Sequence, residues 1–129
     1  MRIAIVAAIL CVAATSASPA IAEPSCEAIK KEVLGFKELI EEHTSALKLA
    51  VAHYKDAQKY GRRPANEFAD KGLVNMRYRH LQDAHLGMAG WVGKAERNRC
   101  QPAQLFVKLG DENVKRAVRS LHLADSAFK

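Results

Sequence analysis

Histidine and carboxylate side chains form the first group in this sequence whose chemistry suggests a site. His43 and His85 occupy positions of two helical patterns where an apolar residue is otherwise expected, and Asp83 lies two residues before His85. Two imidazoles and a carboxylate inside a helical bundle are ligands that suit Zn²⁺ or Cu²⁺, and His122 is a further candidate. The alternative is that each imidazole packs in the core and hydrogen-bonds a neighbour such as Asp83. The sequence has no HExxH motif for zinc and no CxxCH motif for covalent haem. We therefore expect no cofactor, with a Zn or Cu site at His43, Asp83 and His85 as the alternative.

Nucleophilic catalysis finds little support in the pattern. Ser45, Ser120 and Ser126 fall in helical segments rather than on the sharp strand-to-helix turn that exposes a catalytic serine. Glu41 and Glu42 are adjacent, so a helix points them in different directions. No set of residues supplies a nucleophile, a base and oxyanion donors together. We expect a protein that is not an enzyme.

Residues 1–22 have the three parts of a secretory signal peptide. Arg2 provides the positive charge, residues 3–14 form the apolar run, and Ala20-Ile21-Ala22 is a small-residue cleavage site. The apolar run is too short to span a membrane, which takes roughly 20 residues. We expect cleavage after Ala22, an exported protein of the periplasm or the extracellular space, and one domain over 23–129. Nothing in 23–129 predicts a membrane span.

The two cysteines beyond the signal peptide, Cys26 and Cys100, are predicted to form a disulfide, because exported proteins fold in an oxidising compartment. The disulfide is expected to contribute strongly to stability, because the chain beyond the signal peptide is small. The full chain has 129 residues, 49% of them hydrophobic, and part of that share belongs to the signal peptide. A core of this size is marginal without a cross-link.

Apolar spacing predicts two long helices, over 26–60 and 64–97. In each, the steps between core positions alternate between four and three residues, which is the heptad pattern of a narrow helical seam. Ser25 is the predicted N-cap of the first helix, and Gly61 and Pro64 separate the two. Gly87, Gly90 and Gly93 form a small-residue face on the second helix where another helix can approach closely. The first seam is Ile29, Val33, Phe36, Ile40, His43, Leu47, Ala50, Tyr54 and Ala57; the second is Val74, Tyr78, Leu81, His85, Met88, Val92 and Ala95.

The fold predicted from these elements is all-α. Cys26 and Cys100 are equally distant from Arg63, so a long antiparallel hairpin brings them together at its open end and places His43 level with Asp83. A short helix over 102–109, a break at Gly110 and a helix over 111–127 complete the chain as a third, broken helix packed along the hairpin. The result is a three-helix or irregular four-helix bundle. The last helix carries Val114, Val118, Leu121 and Phe128 at helical spacing.

The third helix is shorter than the hairpin, so the hairpin tip is expected to extend beyond it. An uncovered apolar tip suggests a protein partner, most simply a second copy; the alternative is that the tip residues pack on one another. The candidate partner-binding residues are Val51, Tyr54, Tyr60, Phe68, Leu73, Arg62 and Arg63.

The chain is basic, with a formal net charge of +6. Export argues against nucleic acid, so contact with an anionic surface is the alternative to a basic face that only solvates the protein. The sequence therefore favours a small exported binding protein that acts through protein–protein contacts. A metal or small-ligand carrier that uses the His43, Asp83 and His85 layer is the second hypothesis.

Overall fold

The structure, a computed structural model, describes residues 23–61 and 64–129, with the helical backbone alone over 64–70. Three helices account for most of these residues: α1 (Cys26–Lys59), α2 (Pro64–Arg97) and α3 (Ala103–Ser126). No strand is found within the described ranges, so the prediction of an all-α chain is confirmed. The predicted signal peptide lies outside the described residues.

Helix α1 begins where the sequence predicts it. The Ser25 hydroxyl accepts a hydrogen bond from the backbone N–H of Ala28 at 3.2 Å, which satisfies one of the free donors at the helix start. The helix ends at Lys59, and Gly61 follows with a positive φ of 62°, a conformation that glycine adopts without steric cost.

Helices α1 and α2 pack against each other in antiparallel directions. Cys26 at the start of α1 is bonded to Cys100 just after α2, with 5.4 Å between their Cα atoms, which confirms the predicted disulfide. Ile29, Ile40 and Leu47 of α1 and Leu81 of α2 are completely or almost completely buried along this contact. Burial of such aliphatic side chains contributes about 1.5–3 kcal/mol each.

The register between these helices differs from the predicted one by three residues. The ring of His43 lies opposite that of His80, with the centroids 5.8 Å apart, and a side chain at Gly87 would meet the ring of Phe36. His43 is therefore not level with Asp83.

The end of α2 explains the shift. Arg99 has a φ of 52°, its N–H donates to the carbonyl of Glu96, and the N–H of Cys100 donates back to the carbonyl of Ala95. These two bonds form a Schellman motif, which turns the chain back along the helix. Cys100 therefore lies closer to the preceding turn of α2 than it would if the helix continued to residue 100. A register counted from the two cysteines consequently places His43 opposite a residue about three positions too late in α2.

Helix α3 is continuous, so the predicted break at Gly110 and the predicted division into 102–109 and 111–127 do not match the structure. A Cβ at Gly110 would lie 3.2 Å from Cγ1 of Val92, and the missing side chain lets α3 approach α2 closely. A glycine inside a helix costs only about 1 kcal/mol relative to alanine, which this close packing offsets.

Helix α3 rests mainly on α2 and touches α1 less. Phe106 and Leu109 anchor it in the core. Its 24 residues span about 36 Å, against about 51 Å for the 34 residues of α1. Among the described residues, no helix has both the length and the apolar content needed to cross a bilayer.

Candidate functional site

Helix α3 carries two lines of residues at heptad spacing, and they face in different directions. The inner line packs on α2 and contains Phe106, Leu109, Asn113, Ser120, Ala124 and Ala127. The outer line is aliphatic and exposed; it contains Val107, Val114, Val118 and Leu121, and we refer to these four residues as the outer stripe.

Neighbouring residues on α3 show how unusual this arrangement is. Asn113 is 4% exposed, whereas Val114 beside it is 63% exposed. Ser120 is 5% exposed, whereas Leu121 is 44% exposed. Buried asparagine and serine together with exposed valine and leucine reverse the usual distribution of these residue types. The outer stripe is therefore an exposed apolar surface on a helix whose core side combines Phe106 and Leu109 with two polar residues.

A buried pair of side chains fixes that rotation. The Asn113 amide nitrogen donates to the backbone carbonyl of His85 at 3.0 Å, which turns the amide oxygen toward Nδ1 of the same histidine at 2.6 Å. Because the amide oxygen can only accept, Nδ1 carries the proton. Two hydrogen bonds thus join α3 to α2 in the interior, where an unpaired polar group would cost about 1–3 kcal/mol. Nε2 of His85 is also buried and has no hydrogen-bond partner among the residues that the structure describes.

Basic side chains follow one edge of the outer stripe. Lys108, Lys115, His122 and Lys129 recur every seven residues, each one position after a residue of the Val107, Val114, Leu121 and Phe128 column, and all four are exposed. Asp111 and Asp125 lie on the same outer side of α3 and are also exposed.

The residues after α3 reach the far part of α1. The ring of Phe128 packs edge-on against Tyr54 with centroids 5.5 Å apart, and Nζ of Lys71 lies 5.1 Å from the centre of the Phe128 ring. The contact between Phe128 and Tyr54 covers part of the hairpin tip, which the sequence predicts to be uncovered. It forms because the chain continues beyond the end of α3.

The structure separates the predicted partner-binding residues. Val51 and Tyr54 are buried within the chain itself, and Leu73 packs against the core, so these three side chains do not form an exposed tip. Tyr60 is exposed, and Nζ of Lys59 lies 5.4 Å from the centre of its ring. Arg62 and Arg63 lie outside the described residues, as does the side chain of Phe68.

The predicted metal ligands are also apart. His43 is half-buried beside His80, Asp83 and His122 are exposed, and His85 is engaged with Asn113. Within residues 23–61 and 64–129, no group of three or more His, Cys, Asp or Glu side chains is close enough to hold a metal ion. Asn113 is a partner of His85 that the spacing of the aliphatic residues did not indicate; its signal was its place on the same side of the helix as Phe106 and Leu109.

An open cleft of about 510 Å³ separates α1 from α3. Nη1 of Arg116 crosses it to Oε1 of Glu41 at 3.4 Å. The hydroxyls of Thr44, Ser45 and Ser120 donate to backbone carbonyls one helical turn earlier, so their protons are already used. The cleft is lined by Glu41, Thr44, Ser45, Lys48, Arg116, Arg119, Ser120 and Leu123.

Comparison with known proteins does not assign a family. The chain matches no protein-family model, no curated protein and no solved structure. The functional argument therefore rests on the geometry of α3.

Proposed function

We propose that this chain is a small exported, non-catalytic interaction protein that binds a protein partner through the outer face of α3. The observation that carries the proposal is the outer stripe itself. Single exposed aliphatic residues are common on protein surfaces, but an aligned row is typical of an interaction site. The four residues of the stripe lie on one side of a helix that is otherwise held in place.

The rotation of α3 supports this proposal. Turning α3 to bury Val114 would carry Asn113 away from His85 and leave the Nδ1–H of His85 unpaired in the core. The Asn113 amide and the His85 imidazole therefore hold the stripe outward. A rigid, preformed surface binds with less loss of conformational entropy than a surface that must first be ordered.

Export is supported by the predicted signal peptide over 1–22 and by the Cys26–Cys100 disulfide, because such bridges persist in oxidising compartments. The absence of catalysis is supported by the roles of the serines. Ser120 and Ser126 donate their hydroxyl protons to backbone carbonyls at 2.8 and 2.7 Å, as helix serines commonly do, and Nζ of Lys55 donates to Oγ of Ser126 at 3.3 Å.

Site-specific photo-cross-linking in the cells that produce the protein tests the proposal. A photoreactive residue at Val114 or Val118 is expected to form a discrete adduct with another protein. The matched control is Leu86 on α2, which is 71% exposed and lies outside the stripe. The Val114→Ser/Leu121→Ser variant is expected to lose the adduct formed from position 118 while it keeps its thermal stability.

Two results would contradict the proposal. One is the absence of an adduct from both stripe positions. The other is an equal pattern of adducts from Leu86, which would mean that the stripe is no more of a contact surface than the rest of α2 and α3.

A further inference from the structure

We infer that the occupant of the outer stripe is a helix of a different protein, acidic along one flank, that packs along α3 in the manner of a coiled coil. This inference rests on the proposed function and names the chemistry of its partner. It is carried by the spacing of the apolar residues and by the charges beside them.

The spacing matches helix pairing. Val107, Val114 and Leu121 are seven residues apart and hold the first seam position, and the second holds Val118 between Asp111 and Asp125. A strict seven-residue repeat keeps an apolar line facing a second helix, because two supercoiled helices repeat their contacts every 3.5 residues. From Val107 to Leu121 the line is about 21 Å long, which is two heptads.

The charges that flank the seam indicate which charge a partner helix would carry. Lys108, Lys115 and Lys129 lie at the positions that border the seam, where interhelical salt bridges form in coiled coils. Within the described part of the chain, none of the three makes an ion pair; the pair found there joins Arg116 to Glu41 across the cleft. A partner helix with glutamate or aspartate at its facing border positions would pair with this row.

A second copy of the chain fits this pattern poorly. In an antiparallel pair of α3 helices, the border that holds Lys108, Lys115, His122 and Lys129 would face the same border of the other copy, which sets like charges opposite each other. In a parallel pair, Lys115 and Lys129 would face Gly110 and Ala124, which carry no charge. Neither pairing gives the lysine row an acidic partner.

A lipid surface fits less well than a helix. Helices that lie in a membrane interface present a broad apolar face with a polar face opposite. Here the apolar line is narrow, and Asp111 and Asp125 lie on the same outer side as Val118. A membrane interface would bury these two carboxylates near the acyl chains, whereas a partner helix can place a polar side chain opposite each of them.

Binding of two matched peptides to the full chain tests the inference. Both peptides are amphipathic heptad repeats, with leucine at the seam position that faces Val107, Val114 and Leu121 and asparagine at the one that faces Asp111, Val118 and Asp125. One has glutamate and the other lysine at the border positions, where the like charges also keep each peptide from pairing with itself. Fluorescence anisotropy of the labelled peptides is expected to give an affinity for the acidic peptide that is about tenfold or more higher, since each exposed pair contributes modestly and the swap replaces attraction with repulsion.

Charge-reversal variants identify the surface that is responsible. Lys108→Glu/Lys115→Glu is expected to remove or invert the preference for the acidic peptide. Lys31→Glu/Lys48→Glu makes the same change in net charge on α1 and is expected to leave the preference in place. Val114→Ser/Leu121→Ser is expected to remove binding of the acidic peptide.

Several outcomes would overturn the inference, and they differ from failure of the proposed function. Equal affinities for the two peptides, or no binding at about 100 μM acidic peptide, a concentration at which even weak pairing is detected, would reject an acidic helix while cross-linking at Val114 could still succeed. A monomer–dimer equilibrium in sedimentation that Val114→Ser abolishes would assign the stripe to a second copy. Stripe-dependent binding to vesicles of phosphatidylglycerol and phosphatidylcholine would assign it to a membrane surface.

Discussion

Replacing Gly87 by alanine tests whether α1 and α2 are packed as closely as the structure describes. The Cβ that the substitution adds would overlap Cε1 of Phe36 and lie 2.6 Å from Cζ of the same ring. Carbon atoms do not approach this closely, so the ring or the helices must move. Gly90 provides the matched control, because it lies one turn later on the same helix and a Cβ there would meet nothing within 4 Å.

The expected magnitudes follow from two opposing effects. Alanine favours the helix over glycine by about 1 kcal/mol at either position. At Gly87 the overlap with Phe36 adds an overpacking cost of about 1–3 kcal/mol. Gly90→Ala should therefore raise the free energy of unfolding by about 1 kcal/mol, and Gly87→Ala should leave it unchanged or lower it by up to about 2 kcal/mol.

Thermal and urea unfolding followed by circular dichroism at the helical band measure both variants. For a domain of this size, 1 kcal/mol corresponds to a change in Tm of about 4–8 °C, so a difference of about 2 kcal/mol between the variants is resolved easily. Adding Phe36→Leu to Gly87→Ala removes the outer carbons of the ring and should recover part of the loss, which a double-mutant cycle would report as coupling. If Gly87→Ala stabilises the protein as much as Gly90→Ala does, the Phe36 ring is not held against Gly87, which contradicts the close packing of the two helices at this level.

Three further substitutions test the bridge, the end of α2 and the buried polar pair. Cys26→Ser/Cys100→Ser should lower the free energy of unfolding by about 4–5 kcal/mol, because the bridge closes a loop across a sequence separation of 74 residues; a loss below about 1 kcal/mol in urea unfolding would mean that the reduced chain is already constrained. Arg99→Gly should raise Tm, because it removes about 1–2 kcal/mol of left-handed strain, while the greater entropy of the unfolded chain offsets only about 0.4–1 kcal/mol of that gain; an unchanged or lower Tm would contradict the positive φ of Arg99. Asn113→Leu should cost about 1–3 kcal/mol by leaving Nδ1 of His85 unpaired, and combining it with His85→Leu should recover most of that loss; failure of the second change to help would show that the pair does not act as a unit.

Local chemistry explains why much of this fold could be predicted from the sequence. The Ser25 hydroxyl, Gly61 and Pro64 act through contacts within a few residues, so the ends of α1 and the start of α2 follow from the residues themselves. The Cys26–Cys100 disulfide was predictable because two long helices leave these cysteines at the same end of the molecule.

The register of α1 against α2 depends on the backbone conformation at the end of α2, which residue spacing does not reveal. A count of residues between Cys26 and Cys100 treats every residue as helical, whereas Arg99 turns the chain back along α2. Gly110 gave a misleading signal for a related reason. A glycine inside a helical pattern indicates a break when it is considered alone, but here it allows α3 to approach Val92 of α2.

The rotation of α3 about its axis is difficult to predict from its own residues, because it depends on contacts with α2. Hydrophobicity alone offers two lines of α3 to the core: one joins Phe106 and Leu109 to Asn113, and the other joins Val114, Val118 and Leu121 but also contains Asp111 and Asp125. The structure buries the first line, where Asn113 satisfies His85, a polar residue that α2 already places inside. Once His85 is buried, a valine in place of Asn113 would leave its imidazole unpaired, so the polar residue on α3 is the one that stabilises the contact. The aliphatic line is then left on the surface. Among the described residues, the lysines that border this line make no ion pair, and the acidic flank of a partner helix would supply one.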